Sequence, residues 1–319
     1  MTRGADGAHA RIIGAIAGAV GGPGAAAWAL APMTDPRVKT VSLTITEKGY
    51  GPHRTRHGCD PVHPAVAGDL ARPDAPTGAL GLIVAASGKR QAASGKRQAA
   101  SGKRQAASGK RQAARTAPFS VLCCNNLQGA GALVKGALVN FARRLDPDLG
   151  AWVVGRGECR LPRQHGRPHR PPGDARTYCD AECLTGHADL ADIETESFVQ
   201  LVIEDDFPQG SPETQAGGAV FVPDVAPYQT MRLRMLNGAH SMMAYVGALS
   251  GRRQVRDVMA DPALTALAMR PMEAAAPTLP PLPRVDPAEC ADARAARLVN
   301  PAIAHETRHI AMDGAEKLP

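Results

Sequence analysis

A chain of 319 residues can hold two domains and a sizeable core, but with 3% aromatic content that core has to be mostly aliphatic. The formal charge of +7 invites a nucleic-acid or anionic-surface partner. Four pairs, Lys89-Arg90, Lys96-Arg97, Lys103-Arg104 and Lys110-Arg111, supply more than that excess from one short repeat, so the basic balance is local and not a property of the fold. Seven cysteines without regular pairing fit a reducing, cytoplasmic setting and argue against a disulfide scaffold.

From Ile12 to Thr34 no residue is charged, which is long enough to span a bilayer. The stretch is largely Ala and Gly and holds Pro23 and Pro32, so its drive to insert is weak and no membrane segment is expected. Gly22, Gly24 and Ala27 have the spacing G-x-G-x-x-A, and Glu47 follows twenty residues after Ala27. That pattern suits a turn whose glycines let backbone approach a pyrophosphate. Against it stand Pro23 inside the turn and a composition rich enough in Gly and Ala for chance matches.

Val38 to Glu47 alternates β-branched and polar residues and predicts a strand ending in Thr46 and Glu47. Pro118 to Cys124 predicts another, followed by Asn125 and Asn126. Ligands of open α/β sheets bind beyond the carboxyl ends of strands, so both ends are candidate site positions. Between them, residues 85–112 are four identical copies of AASGKRQ. A seven-residue period puts Lys-Arg on one face of a helix, while each Gly costs about 1 kcal/mol relative to Ala. One copy suffices for a helix linking the two strands, and the other three are expected to bulge out or extend it into solvent. No aromatic is interleaved to stack on a base, so no specific nucleic acid is expected.

Between Val153 and Ala188 the hydrophobic period disappears. Cys159, His165, His169, Cys179, Cys183 and His187 are zinc-ligand types. The spacing Cys-x3-Cys-x3-His matches no strong zinc pattern, so no metal is expected. Arg156 to Tyr178 has too little apolar content to offset an ordering cost of about 1–2 kcal/mol per residue and is expected to be irregular.

From Val220 onward helical periodicity returns, through Tyr228–Leu249 and Val255–Met269, with Pro277 to Pro283 as a rigid break and a further helix starting at Asn300-Pro301. In Tyr228–Gly247 the apolar residues Met231, Met235, Leu236, Met242, Met243 and Val246 recur at helical spacing. Arg232, Asn237 and His240 stand at i, i+5 and i+8, within about 140° of one another at 100° per residue. A cation, an amide and an imidazole on one side can handle a hydroxyl or carbonyl group. The plainer reading is a solvated helix face.

This helix, with EDDFPQGSP before it and MDGAEKLP at the end of the chain, resembles the long-chain polyol dehydrogenases, the family of mannitol 2-dehydrogenase and fructuronate reductase. The resemblance covers about 37–50, 63–86, 118–153 and 194–319. It implies an α/β plus all-α fold: a partial Rossmann-type sheet without its first strands over 1–218, carrying the repeat as an insert, then a mainly helical substrate domain over 219–319. It also implies an NAD-dependent oxidoreductase acting on a small polyol or sugar acid. By resemblance, Asn126 and Asn237 polarise the substrate oxygen, His240 positions the substrate, Lys317 contacts it, and Thr46 and Glu47 hold the cofactor. The family places its phosphate loop well upstream of the strand at 38–47, which counts against the glycines at 22–24.

The family helix carries Lys, then Asn five residues later and His eight later; here Arg232 stands at the lysine position. Arginine stays charged in proteins and cannot serve as the base. Gln229 stands where the family commonly has Glu. In the place of residues 156–178 the family has a signature like FPNSMVDRIVP followed by PATTP. Suitable codons for QHGRPHRPPGDA, Gln164 to Ala175, read one nucleotide later give SMVDRIVPPAT. Residues from about 159 to 178, within an irregular segment at 156–183, are therefore expected to be translated out of frame. On this reading the chain begins mid-domain, ends short of further helices and is catalytically impaired. The alternative is a degenerate, non-catalytic protein that binds a sugar acid or a partner through its helical domain.

Overall fold

The computed structural model describes residues 2–4, 7–22, 24–45, 49, 58–105, 118–124, 130–155, 164–165, 175–189, 193, 201–207, 209–280, 282–283, 285–286 and 306–311. These fall into two compact units, one of 16–165 with 201–223, the other of 1–15, 166–200 and 224–319.

The first unit contains the sheet elements expected from the alternating stretches. Strands β3 (Thr40–Leu43) and β4 (Ser120–Cys123) pair in parallel, Thr40 opposite Ser120 and Leu43 opposite Cys123. A parallel pair needs a long crossover, here made by α2 (Pro64–Ala71) and α3 (Ala79–Gln105). Helix α1 (Ala25–Thr34) packs on α3, and α4 (Ala130–Leu145) packs on both α3 and α5 (Pro147–Gly155). Their apolar faces enclose Leu30, Ile83, Val84, Phe119, Val121, Val134, Leu138 and Phe141. A second, three-stranded sheet has β6 (Leu201–Glu204) between antiparallel β5 (Gln164–His165) and parallel β7 (Ala219–Val222). Because β7 pairs with β6, the helical part starts at 224 and not at the expected 219.

Two buried polar groups hold the crossover helices in place. The Asp69 carboxylate, 3% exposed, accepts from the backbone N–H of Thr77 at 2.8 Å and of Gly78 at 2.9 Å. It thereby satisfies free N–H groups at the start of α3 and faces the positive end of its dipole. Helix α3 runs unbroken through the first three repeat copies. In the first copy Ala86, Ser87 and Arg90 are buried. One of the repeat's cations is thus a core element, within the one copy expected to form the linking helix; Lys89 beside it is exposed.

In the second unit a two-stranded ribbon, β1 (Thr2–Gly4) with β2 (Gly7–His9), precedes a helical bundle. Its helices are α6 (Ala175–Thr185), α7 (Ala226–Met231), α8 (Gly238–Leu249), α9 (Val255–Met259), α10 (Pro262–Ala275) and α11 (Thr307–Ala311). The expected helix over 255–269 is two helices, broken where Asp261 accepts from the N–H groups of Ala263 and Leu264 and Pro262 opens α10. Those are the N-cap and first-turn roles these residue types favour. After α10 the chain passes through a short tight turn at Ala276–Thr278, in line with the expected break from Pro277. The helix start at Asn300-Pro301 lies outside the described residues. The irregularity expected through Tyr178 is corrected from Ala175 onward: ARTYCDAECLT forms α6, with Arg176 and Asp180 paired one turn apart at 3.8 Å. Most of 156–174 lies outside the described residues. Among the described residues no helix is long and apolar enough to cross a membrane, and no group of three or more His, Cys, Asp or Glu is placed to hold a metal ion.

Candidate active site

The helix expected over Tyr228–Gly247 is present but not regular. Between α7 and α8 lies a six-residue π turn, Arg232–Asn237, in which the Gly238 N–H reaches back five residues to the Leu233 carbonyl. Its cause is legible in the buried row. Met231, Met235, Ala239 and Met243 are all 0% exposed, and Gly247 continues the row as a buried residue. A step of four exceeds the 3.6-residue turn by about 40°, so after four steps a plain α-helix would rotate the row by about 160°, out of the core. A wider turn absorbs an extra residue and keeps the row inside. Contacts from the far end of the bundle secure it: the Tyr228 hydroxyl donates to the Pro283 carbonyl at 2.6 Å, and Arg234 Nη1 donates to the Thr278 carbonyl at 2.8 Å.

The wide turn revises the angular estimate for the three site candidates. In a ring closed five residues apart, Asn237 takes the place over Arg232 that i+4 has in an α-helix, about 40° off. His240 follows three residues later in regular helix, about 60° back. The three thus share a sector of roughly 60°, narrower than the 140° of a uniform helix. Arg232 and His240 are half-buried and Asn237 is exposed. Gln229, one turn before Arg232, is 9% exposed. The π turn is the feature sequence reasoning missed, and the signal was available: a methionine and small-residue row with a period of four instead of 3.6.

Of the remaining candidates, Thr46, Glu47, Asn126 and Lys317 lie outside the described residues. The elements leading to them are described. Cys124 N–H bonds to the Leu43 carbonyl at 2.7 Å, so the parallel strands β3 and β4 end side by side. Adjacent carboxyl ends of parallel strands are where an open α/β sheet receives a nucleotide, and this part of the chain fits such a group. The glycine pattern at 22–27 does not fit. Gly22 and Gly24 have φ of 75° and 89° and lead into α1, yet residues 10–21 form no strand, so the strand-turn-helix setting that gives the motif meaning is missing.

Comparison with known proteins accounts for the arrangement. Residues 224–319 match the mannitol dehydrogenase C-terminal domain, starting at the residue where the helical bundle begins. Over nearly its whole length the chain is similar to the mannitol dehydrogenases, and its C-terminal third carries their C-terminal domain. It is 34% identical to the uncharacterized oxidoreductase YeiQ of Escherichia coli strain K12, over 100% of this chain and 61% of that protein. It is also 34% identical to D-mannonate oxidoreductase of the same strain, over 90% of this chain and 54% of the relative. Among solved structures it superposes on Pseudomonas fluorescens mannitol 2-dehydrogenase, a ternary complex with NAD and D-mannitol, with a TM-score of 0.72 at 30% identity, covering 92% of this chain and 55% of that one. The chain therefore spans somewhat more than half the length of these relatives. Its partial Rossmann-type sheet and helical C-terminal part match the fold of these polyol dehydrogenases.

Proposed function

We propose that the chain carries the substrate-handling part of an NAD-linked oxidoreductase of polyols or sugar acids, with catalysis impaired by its own residues. The observation that supports this reading is the π turn at Arg232–Asn237 within the segment matching the mannitol dehydrogenase C-terminal domain, whose ideal geometry narrows the sector shared by Arg232, Asn237 and His240. Asn237 donates its amide to the substrate oxygen and Asn126 is its counterpart after β4; such donors act by stabilising developing negative charge. His240 orients the substrate and Lys317 contacts its far hydroxyls. Thr46 and Glu47, following β3, would hold the nicotinamide cofactor, which supplies hydride acceptance when bound. Free thiols at the five described cysteines agree with a cytoplasmic setting.

The missing step is proton removal. A useful base titrates near the working pH, and the guanidinium of Arg232 does not. Buried Gln229 adds no titrating group beside it. Arg232 therefore serves as a fixed cation that binds without taking a proton.

Steady-state assays of the full chain with NAD and mannitol or mannonate, together with NADH fluorescence titration, test the proposal. Turnover of either substrate is expected to be absent. Arg232→Lys alone is expected not to restore it, because the signature segment at 159–178 is also altered. Turnover by the unmodified chain would overturn the claim of impairment. A chain that binds sugar acid but not NADH would favour the non-catalytic alternative.

A further inference from the structure

Outside the candidate site, α6 offers a second chemistry. Cys179 and Cys183 are four residues apart on this helix, and both are exposed free thiols. Residues at i and i+4 lie on one face with Cβ atoms about 5–6 Å apart. The second cysteine sits in a well-held last turn. The Gly186 N–H bonds to the Glu182 carbonyl at 2.8 Å with Gly186 at φ 72°, and the Thr185 hydroxyl bonds to the Ala181 carbonyl at 2.7 Å.

This spacing decides what the thiols can do together. A disulfide needs Cβ atoms about 3.5–4.5 Å apart, so an oxidised pair would have to break the helix. A bridging ion adds two metal–sulfur bonds to the span and suits the larger separation. Zinc structural sites use four ligands, and the described residues bring no third His, Cys, Asp or Glu to the pair. Thiolate ligands and low coordination select a soft ion, for which monovalent copper is the biological choice. We infer that Cys179 and Cys183 form a two-thiolate site for Cu(I) on the exposed face of α6. Binding releases one proton from each thiol and leaves the copper oxidation state unchanged. The inference is independent of the dehydrogenase reading and of the frame in which 159–178, which includes the first turn of α6, is translated.

The test is competition for Cu(I) between the reduced full-length chain and bicinchoninate, followed by loss of the coloured copper complex. The unmodified chain is expected to withdraw one equivalent at high affinity. Cys179→Ser and Cys183→Ser should each weaken that step by about 100-fold, as expected when a two-point attachment becomes one-point. Far-UV circular dichroism checks that both variants keep their helix content. Unchanged high-affinity uptake in the two variants would place the copper on other cysteines and overturn the proposal. So would absence of uptake by the unmodified chain, or displacement of Cu(I) by equimolar Zn(II).

Discussion

Two arginines, one in each unit, show how surroundings decide what the same side chain is for. Arg90 is 1% exposed; its guanidinium donates to the carbonyls of Met33 at 2.8 Å, Val38 at 2.9 Å and Asp35, and lies 4.7 Å over the Phe119 ring. Burial lowers its pKa and the Asp35 charge opposes that shift. These three acceptors are backbone carbonyls from the end of α1 and the segment leading to β3, so the cation joins α1, α3 and the start of β4. Arg232 is half-buried in a π turn next to an exposed Asn237. The first is enclosed by chain and structural; the second is only half-buried and stands in the segment that matches the mannitol dehydrogenase C-terminal domain. The lesson is that a positive charge in a repeat can belong to the core, while one in a regular-looking helix can sit half-buried in a π turn, where we propose a site.

The strongest way to break this comparison is to remove Arg90. Arg90→Ala leaves three backbone carbonyls without their charged donor, and each such bond is worth about 1.5–3 kcal/mol. A loss of at least about 3 kcal/mol in urea unfolding is expected once partial rehydration is allowed for. Lys89→Ala, one residue away and exposed, should stay within about 0.5 kcal/mol. Equal effects of the two substitutions would show that the first repeat copy is as solvated as its composition suggests.

A smaller effect tests how the bundle of the second unit is packed. The buried cluster around α8 and α10 is built from Met, Ala and Val, and Tyr228 on α7 is also buried in this unit. At Gly247 an added Cβ would come within 2.7 Å of both Thr307 Cγ2 and Val258 Cγ2. Both are β-branched side chains that cannot swing aside cheaply. Thr307, 1% exposed, is further held by hydroxyl bonds to the Arg252 and Arg253 carbonyls. Gly247→Ala should therefore cost about 1–2 kcal/mol, the overpacking strain outweighing the gain in helix propensity. At Gly238 the nearest atom to an added Cβ is Pro271 Cβ at 3.6 Å, an ordinary contact. Gly238→Ala should be neutral or stabilising by up to about 1 kcal/mol, and urea midpoints of the pair decide the matter.

Much of this was legible in the sequence. Alternation in 38–47 and 118–124 located the parallel strands and the apolar spacing located the bundle helices, but the new helix start at Asp261-Pro262 was run together with the stretch before it. The π turn was not anticipated because a fixed 100° per residue was imposed on a row that repeats every four. Arg90 was missed because four identical copies hide that one of them packs; what singles it out is distance along α3 from the Asp69 cap, which no composition records. The irregular segment was drawn too long because low apolar content was allowed to outweigh local helix formers at 175–185. The frame-slip reading of 159–178 is open to a direct check. The gene, read one nucleotide later across these codons, should give a string like SMVDRIVPPAT without a stop; an unrelated string or an early stop ends that idea. The same reading should show near-identical DNA over codons 85–112.

The smallest expected effect sharpens the contrast between a fixed cation and a titrating partner. At the end of α1, Asp35 accepts from Arg37 Nη2 at 2.6 Å, Arg37 Nε at 3.0 Å and the Arg37 backbone N–H at 2.8 Å. These bonds, the side-chain ones foremost, lower the Asp35 carboxyl from 3.8 to about 2. A carboxylate whose folded pKa is lowered adds stability above its unfolded pKa and loses it as the pH falls through the folded one. The contribution of Asp35 should thus be constant from neutral pH down to about 5, shrink below 3.8 and vanish near 2. The pair is exposed and salt-screened, so its size is small. The Arg90 guanidinium does not titrate anywhere in this range, and the deficit of Arg90→Ala should be the same at pH 4 as at pH 7. Asp35→Asn should differ from the unmodified chain at neutral pH and converge with it in acid. Following the Asp35 carboxyl by NMR gives the midpoint directly: a value near 2 sustains the account, and one near 3.8 shows that the Arg37 contacts do not persist in solution.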